Sequence, residues 1–342
     1  MSDGPPGVLL VHAHPDDESI NNGVTMAACV ELGVPVTLVT CTRGEEGEVI
    51  PASLAELTSD REDRLGAHRV TELADAMAEL GVTDHRFLTI AGETPRDSGM
   101  MGLPHNERPG AFWGVDLDRA AAELAAVIRE TRPATVITYD PDGGYGHPDH
   151  IQAHRVATRA VELAAAPEPP GLRSDPPAAA PARPHRVARV LWNSVPRSAA
   201  EAALRRLRDT GPHGDASRVG PDGGPATAVA ALADIPGVVD EAAIDWRVEG
   251  SDRQVSAKAA AMRAHRSQVT VVPSRTGAPE TEFVLSNVLL QPLWPTEWYR
   301  LVSGEPFGAD DAGPFLPGAP CPDGETGETD GTGGSRPGTV RP

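Results

Sequence analysis

Short apolar runs alternate with stretches of helical spacing through the first half of the chain. Residues 8–11, 36–40, 86–90 and 134–139 are dominated by apolar and β-branched side chains and bounded by polar, Gly or Pro positions, so each reads as a strand. Between and after them, residues 22–32, about 63–80, 117–130 and about 149–164 carry apolar positions at helical spacing. Val70, Leu73, Met77 and Leu80 form such a stripe, which belongs to a core rather than to a ligand site. Strands that alternate with helices predict an α/β fold, a Rossmann-like doubly wound and mostly parallel sheet over about 7–165. No Gly-x-Gly-x-x-Gly follows the first strand, so a dinucleotide is not implied.

Beyond a Pro/Ala-rich stretch at 164–184, residues 187–192 read as a strand, and 199–209 and 252–266 as helices. This smaller C-terminal part, about 186–304, is expected to cap the site, so that 1–304 makes one folded domain. A second Pro/Ala/Gly-rich stretch at 219–236 marks a surface loop. Residues 305–342 are acidic and rich in Gly and Pro; they bury too little apolar surface to order, and a disordered tail is expected.

Composition changes this picture mainly by exclusion. The 342 residues suffice for a substantial core, and the hydrophobic share of 39% is lowered by 35 Gly and 34 Pro gathered in the insertions and the tail. A net charge of −19 with only 4% aromatic residues argues against nucleic-acid binding, which needs clustered Lys and Arg or stacking platforms. The three cysteines, Cys29, Cys41 and Cys321, lack a Cys-x-x-Cys spacing and suit a reducing compartment. With no secretory signal and no run of 18 apolar residues, a cytoplasmic protein without a membrane partner is expected. Oligomeric state leaves no mark in the sequence.

The chemistry sits in two clusters more than a hundred residues apart, Ala13-His14-Pro15-Asp16-Asp17-Glu18 and Tyr145-Gly146-His147-Pro148-Asp149-His150. Alone, a His-Pro-Asp sequence is an ordinary turn. Two of them, each just past a strand, supply the ligand inventory of a mononuclear zinc site, three His or carboxylate ligands with one position open. His14 and Asp17 are three positions apart, so one turn aims both at one ion; His150 is the third ligand. Asp16 then points elsewhere, beside the metal but not on it, placed as the general base for the water that the metal acidifies. His147 remains free to donate to the oxyanion and leaving group, with Asp149 holding its tautomer, and the Tyr145 phenol is placed to polarise the substrate carbonyl. A His₂Asp set suits Zn²⁺, one per subunit, and Fe²⁺ as well.

At these residues the chain resembles the PIG-L / LmbE-like zinc N-deacetylases, whose signature pairs Ala-His-Pro-Asp-Asp-Glu with a later His-Pro-Asp-His. The resemblance runs from about Val8 to about Gln268 and includes the loops 41–50 and 96–100. It implies hydrolysis of the N-acetyl group of a small acetamido sugar linked to inositol, within mycothiol biosynthesis, by direct attack of water. It repeats the roles of His14, Asp17, His150, Asp16, Tyr145 and His147. It also implies sugar or inositol recognition by Arg69 and Asp97, with Glu48 in the Gly-rich loop beside them. The Leu293-Trp294-Pro295-Thr296-Glu297 segment is more similar to the related amidase of mycothiol conjugates, which is the rival activity. A sugar-binding protein without turnover is the alternative of another class; intact base and ligands speak against it. His265 reads as a core residue or one behind the site.

Overall fold

The computed structural model describes residues 7–167, 183–211, 215–219, 224–274, 279, 281–307 and 319–320. In chain order these form β1 (Val8–His12), α1 (Asp17–Glu31), β2 (Val36–Thr40), α2 (Leu65–Leu80), β3 (Asp84–Phe87), α3 (Leu117–Thr131), β4 (Thr135–Thr138) and α4 (Pro148–Ala165). The second half adds β5 (Arg189–Pro196), α5 (Arg197–Thr210), β6 (Ala228–Val229), β7 (Val238–Val239), β8 (Trp246–Glu249) and α6 (Asp252–Ala264). It ends with β9 (Thr270–Val271), β10 (Glu282–Val284), β11 (Leu289–Pro292) and β12 (Thr296–Gly304).

The main sheet runs β3-β2-β1-β4-β5 with every neighbour parallel. Its central strand is buried on both faces, and the period of two sorts its side chains. Val8 and Leu10 meet Leu73, Met77 and Met262 on one face, while Leu9 and Val11 meet Leu124, Ile128 and Val156 on the other. Helices α1, α2 and α6 therefore cover one face, and α3 and α4 the opposite one. Each fully buried Leu in this core stabilises the fold by about 1.5–3 kcal/mol. The helices end where their sequences say they should: α2 stops at Gly81 with φ 73, the left-handed conformation that Gly adopts freely. Helix α6 starts with a Ser251–Gln254 capping box.

Strand β1 leads through α1 to β2 on one side of itself, whereas β4 leads through α4 to β5 on the other. The connections diverge between β1 and β4, and a crevice opens at their carboxyl ends. Both histidine clusters emerge there.

The predicted α/β sheet is therefore present, and the structure adds features that strand and helix periodicity did not reveal. Antiparallel β12 and β8 extend the sheet beyond β5, and a small sheet of order β6-β11-β10-β9 forms a second layer. Helix α1 begins at Asp17, five residues before the expected start at 22, because Asp17 and Glu18 occupy its first turn and complement the helix dipole. The expected strand at 86–90 lies instead at Asp84–Phe87, where Arg86 pairs with Asp84 and Glu130.

Most of the insertion at 164–184 and most of the acidic tail lie outside the described residues. The tail's first residues do pack. Phe307 stacks on Trp246 with ring centroids 4.1 Å apart, and Arg189 Nε donates to the Glu305 carbonyl at 3.0 Å. Packing among the described residues thus continues past the expected boundary at 304. Ala319–Pro320 pairs antiparallel with β8.

Candidate metal centre and active site

Three ligand atoms converge at the carboxyl ends of β1 and β4. His14 Nδ1 lies 3.4 Å from Asp17 Oδ2, His150 Nε2 lies 3.4 Å from the same oxygen, and the two nitrogens are 3.3 Å apart. Donors at about 2.0–2.1 Å from a tetrahedral ion stand about 3.3–3.4 Å from one another, so this triangle matches one face of such a polyhedron. Local structure produces it. His14 ends the β1 turn, Asp17 is the first residue of α1, and the backbone N–H of His14 donates to Asp17 Oδ2 at 3.0 Å. On the other side Pro148 opens α4, placing His150 in its first turn with Nδ1 3.1 Å from the Gly143 carbonyl and Nε2 turned to the site.

His14–His147–His150 and His14–Asp97–Asp149 also bring ligand atoms within 4.8 Å of one another. Both are less suited to an ion. His147 Nδ1 accepts the Asp149 N–H at 3.2 Å, and Asp97 and Asp149 approach His14 from its Nε2 side, away from Asp17. Asp149 Oδ2, 3.3 Å from that Nε2, is placed to fix the His14 tautomer so that Nδ1 is free for a metal.

Electrostatics point the same way. Burial opposes a charge on His14, yet the carboxylates of Asp97, Asp149 and Asp17 outweigh it and hold this imidazole well above its usual pKa. Burial likewise works against ionised Asp17, but His150 and His14 keep it well below the carboxylate range. Three aspartates, Asp17, Asp97 and Asp149, lie 3.3–3.7 Å from the His14 ring nitrogens, and a pocket so lined calls for a cation. The donor set thus fits a divalent metal.

Asp16 lines the same cleft but pairs with Arg69. Its backbone has φ 124 and ψ −34, a region that L residues rarely occupy and that costs about 1–3 kcal/mol. Arg69 lies 3.1 Å from Asp16 Oδ2, donates to the Gly44 carbonyl at 2.9 Å and also bonds the Pro15 carbonyl. Gly44, at φ 69, is needed here because a Cβ would run into the Arg69 guanidinium. Burial raises Asp16 to about 6, with Arg69 pulling the other way. A carboxylate poised there suits proton transfer near neutrality.

The remaining expected residues divide. His147 caps α4, and the bond from the Asp149 N–H leaves its Nε2 to carry the proton. Asp149 therefore does not orient His147 through its carboxylate, as expected from the sequence; from the first turn of α4 its carboxylate bonds His14 and the Ser98 N–H instead. Burial, with His14 and His150 nearby, pushes His147 down to about 2, so it faces the cleft as a neutral N–H donor. Tyr145 is half exposed, 5.0 Å ring to ring from His150, at the cleft mouth. Asp97 is buried and accepts the Gly99 and Glu46 N–H groups while facing His14 at 3.7 Å. Arg69, expected among substrate contacts, is buried and engaged with Asp16. Glu48 is exposed on the cleft wall.

Sequence reasoning passed over the layer beneath. Tyr139 stacks on His150 at 4.3 Å, and its hydroxyl accepts the Ala13 N–H at 2.9 Å and meets His12 Nδ1 at 3.1 Å. His12 Nε2 in turn bonds Asn22, which reaches Asn193 and Tyr299. Their only sequence signal was polar residues at positions otherwise due to be apolar. The cleft above encloses about 740 Å³, and the C-terminal part closes one side with Asn193, Pro236, Asn287, Trp294 and Trp298.

The GlcNAc-PI de-N-acetylase (PIG-L) family model matches residues 9–161, which span both clusters. A 1D-myo-inositol 2-acetamido-2-deoxy-α-D-glucopyranoside deacetylase of Streptomyces griseus is 56% identical over 299 residues, 87% of this chain and 84% of that one. Proteins of the same description from Streptomyces scabiei and Thermobispora bispora are 53% and 46% identical, covering 92% and 94% of this chain and 90% and 94% of theirs. With both clusters in place and relatives this similar along almost its whole length, the chain belongs to the PIG-L family of de-N-acetylases.

Proposed function

We propose that this chain hydrolyses the N-acetyl group of 1D-myo-inositol 2-acetamido-2-deoxy-α-D-glucopyranoside, giving the free amine and acetate, as a step of mycothiol biosynthesis. The observation that carries this reading is the His14–Asp17–His150 triangle with Asp16 outside it. The names and close similarity of the relatives support the substrate. The metal in this reading is Zn²⁺, one per chain, with Fe²⁺ suited by the same donors. When bound, such an ion polarises the acetamide carbonyl and acidifies a water beside it.

The protein's own groups then do the following. Asp16 removes a proton from the water as its oxygen attacks the carbonyl carbon. His147 Nε2–H and the Tyr145 phenol donate to the oxygen that becomes negative. The C–N bond breaks, the nitrogen takes the proton held by Asp16, and acetate and amine leave; no covalent intermediate is required. Arg69 keeps Asp16 in place, and Asp97 and Asp149 keep His14 in place. Among the described residues no helix is long and apolar enough to cross a membrane, and the buried free thiols of Cys29 and Cys41 fit the expected cytoplasmic setting.

Anaerobic metal analysis paired with turnover on two substrates tests this reading. The expected result is one metal per chain, acetate release from the acetylated inositol sugar that stops on chelation and returns with Zn²⁺ or Fe²⁺, and much slower cleavage of a mycothiol S-conjugate. Preference for the conjugate would make the chain an amidase.

A further inference from the structure

The Asp16 turn is held from behind by a buried pair that the reaction itself does not use. Asp16 N–H donates to Glu18 Oε2 at 2.9 Å, so the side chain two residues on fixes the peptide that carries the strained φ of 124. Glu18 is fully buried and sits against His265, also fully buried, whose Nε2 lies 2.7 Å from Glu18 Oε1. Ser19 Oγ donates to the same oxygen at 2.6 Å. His265 closes the C-terminus of α6, and its carbonyl accepts the N–H groups of Gln268 and Val269. A rigid chain of bonds therefore runs from α6, in the C-terminal part, to the backbone of Asp16.

Resting on the reading of Asp16 as the base, we infer that Glu18 and His265 are positioning residues that lock the Asp16 carboxylate in the geometry from which it takes the water's proton. Glu18 does this through an acceptor for the Asp16 N–H. His265 does it by fixing Glu18. Without that acceptor the Asp16 peptide relaxes towards an ordinary helical N-terminus, and the carboxylate swings from the water it must deprotonate. A displacement of about 1 Å at a reacting group lowers the rate by about 10²-fold while substrate contacts elsewhere persist. The metal triangle depends on Asp17 and the two histidines, and it should outlast the change.

The test compares four holoenzymes for metal content, kcat and KM. Glu18→Leu combined with His265→Leu removes the pair with apolar replacements, which avoids leaving one buried charge unpaired. It should bind one metal, keep KM within about threefold and lose about 10–100-fold in kcat. Glu18→Gln keeps an oxygen acceptor for the Asp16 N–H and should recover most of that loss. His265→Gln, which still donates to Glu18, should lie near it. A double Leu variant with full metal and near-normal kcat overturns the inference, and so does a Glu18→Gln variant as slow as the double Leu. Asp16→Asn, run beside them, keeps the two questions apart: if it stays active, the reading of Asp16 as base fails; if it is inactive while the double Leu is fast, only the positioning role fails.

Discussion

Asp16 and Asp17 are adjacent carboxylates with opposite environments, and that contrast is what makes them testable. Asp17 faces two imidazoles that hold its carboxyl low, whereas burial lifts Asp16 to about 6. Asp17→Ala should reduce bound metal to well below one equivalent, measured by elemental analysis after gel filtration. Asp16→Asn should keep the metal and lose about 10²–10⁴-fold in kcat, the usual contribution of a placed general base. In the wild type the rate should climb with pH on an acidic limb at or below about 6, as Asp16 sheds its proton, and Asp16→Asn should flatten that limb. Stability should move the other way. The pKa of Asp16 is higher folded than unfolded, so above its ordinary 3.8 the unfolded chain ionises more readily. Folding is weakened progressively as pH rises towards about 6 and stays weakened beyond it. Metal-free Asp16→Asn should therefore melt a few degrees above the metal-free wild type at about pH 8 and near it at about pH 3.5. A lower melting temperature at the higher pH would mean that the Arg69 contact matters more than the burial of charge.

At the scale of elements, α1 carries Asp17 of the candidate triangle and is held by β12 as well. Glu297 of β12 accepts the Val24 and Thr25 N–H groups at 2.9 and 2.8 Å, and its Oε1 pairs with the buried Lys258 of α6 at 2.8 Å. The segment that resembles the conjugate amidase thus has a structural task in this chain. Glu297→Ala would leave the Lys258 ammonium buried and unpaired, and should destabilise by about 3–5 kcal/mol in urea unfolding. Glu297→Gln, which still accepts hydrogen bonds, should lose less. Equal losses would show that charge, rather than the acceptors, holds the helix. The sequence places the start of α1 too late because His14, Asp16, Asp17 and Glu18 are polar and Pro15 lies among them, so 14–18 look like loop. They become helix and turn only because the dipole and the buried pair with His265 compensate them.

For the whole molecule, the C-terminal part closes one wall of the cleft and also supplies bonds behind α1. Its far end reaches past the expected boundary through Phe307 on Trp246, with the Arg189 guanidinium 4.6 Å from the Phe307 ring. An aromatic pair of this kind contributes about 0.5–1.5 kcal/mol beyond its burial. Truncation after Gly304 should therefore lower the melting temperature by a few degrees relative to truncation after Phe307, with kcat equal in both. Identical melting curves would mean that the stack adds nothing to stability, and a change in kcat would tie the tail to the cleft.

What the sequence determined by itself was whatever depends on neighbours along the chain. Strand and helix periods gave the parallel α/β sheet, and the spacing of His14, Asp17 and His150 just past two strands identified which side chains face one point, because ligand type and strand-end position are local properties. Asp149 was assigned to the wrong histidine for the same reason: sequence proximity favoured His147, while the first turn of α4 carried its carboxylate to His14, 135 positions away. The antiparallel strands β12 and β8, the burial of Arg69 against Asp16, and the Glu18–His265 pair across 247 positions were decided only by the tertiary structure. Polar residues such as these have no period to betray them; whether a charge is solvated or buried depends on which distant partner the packed core brings beside it.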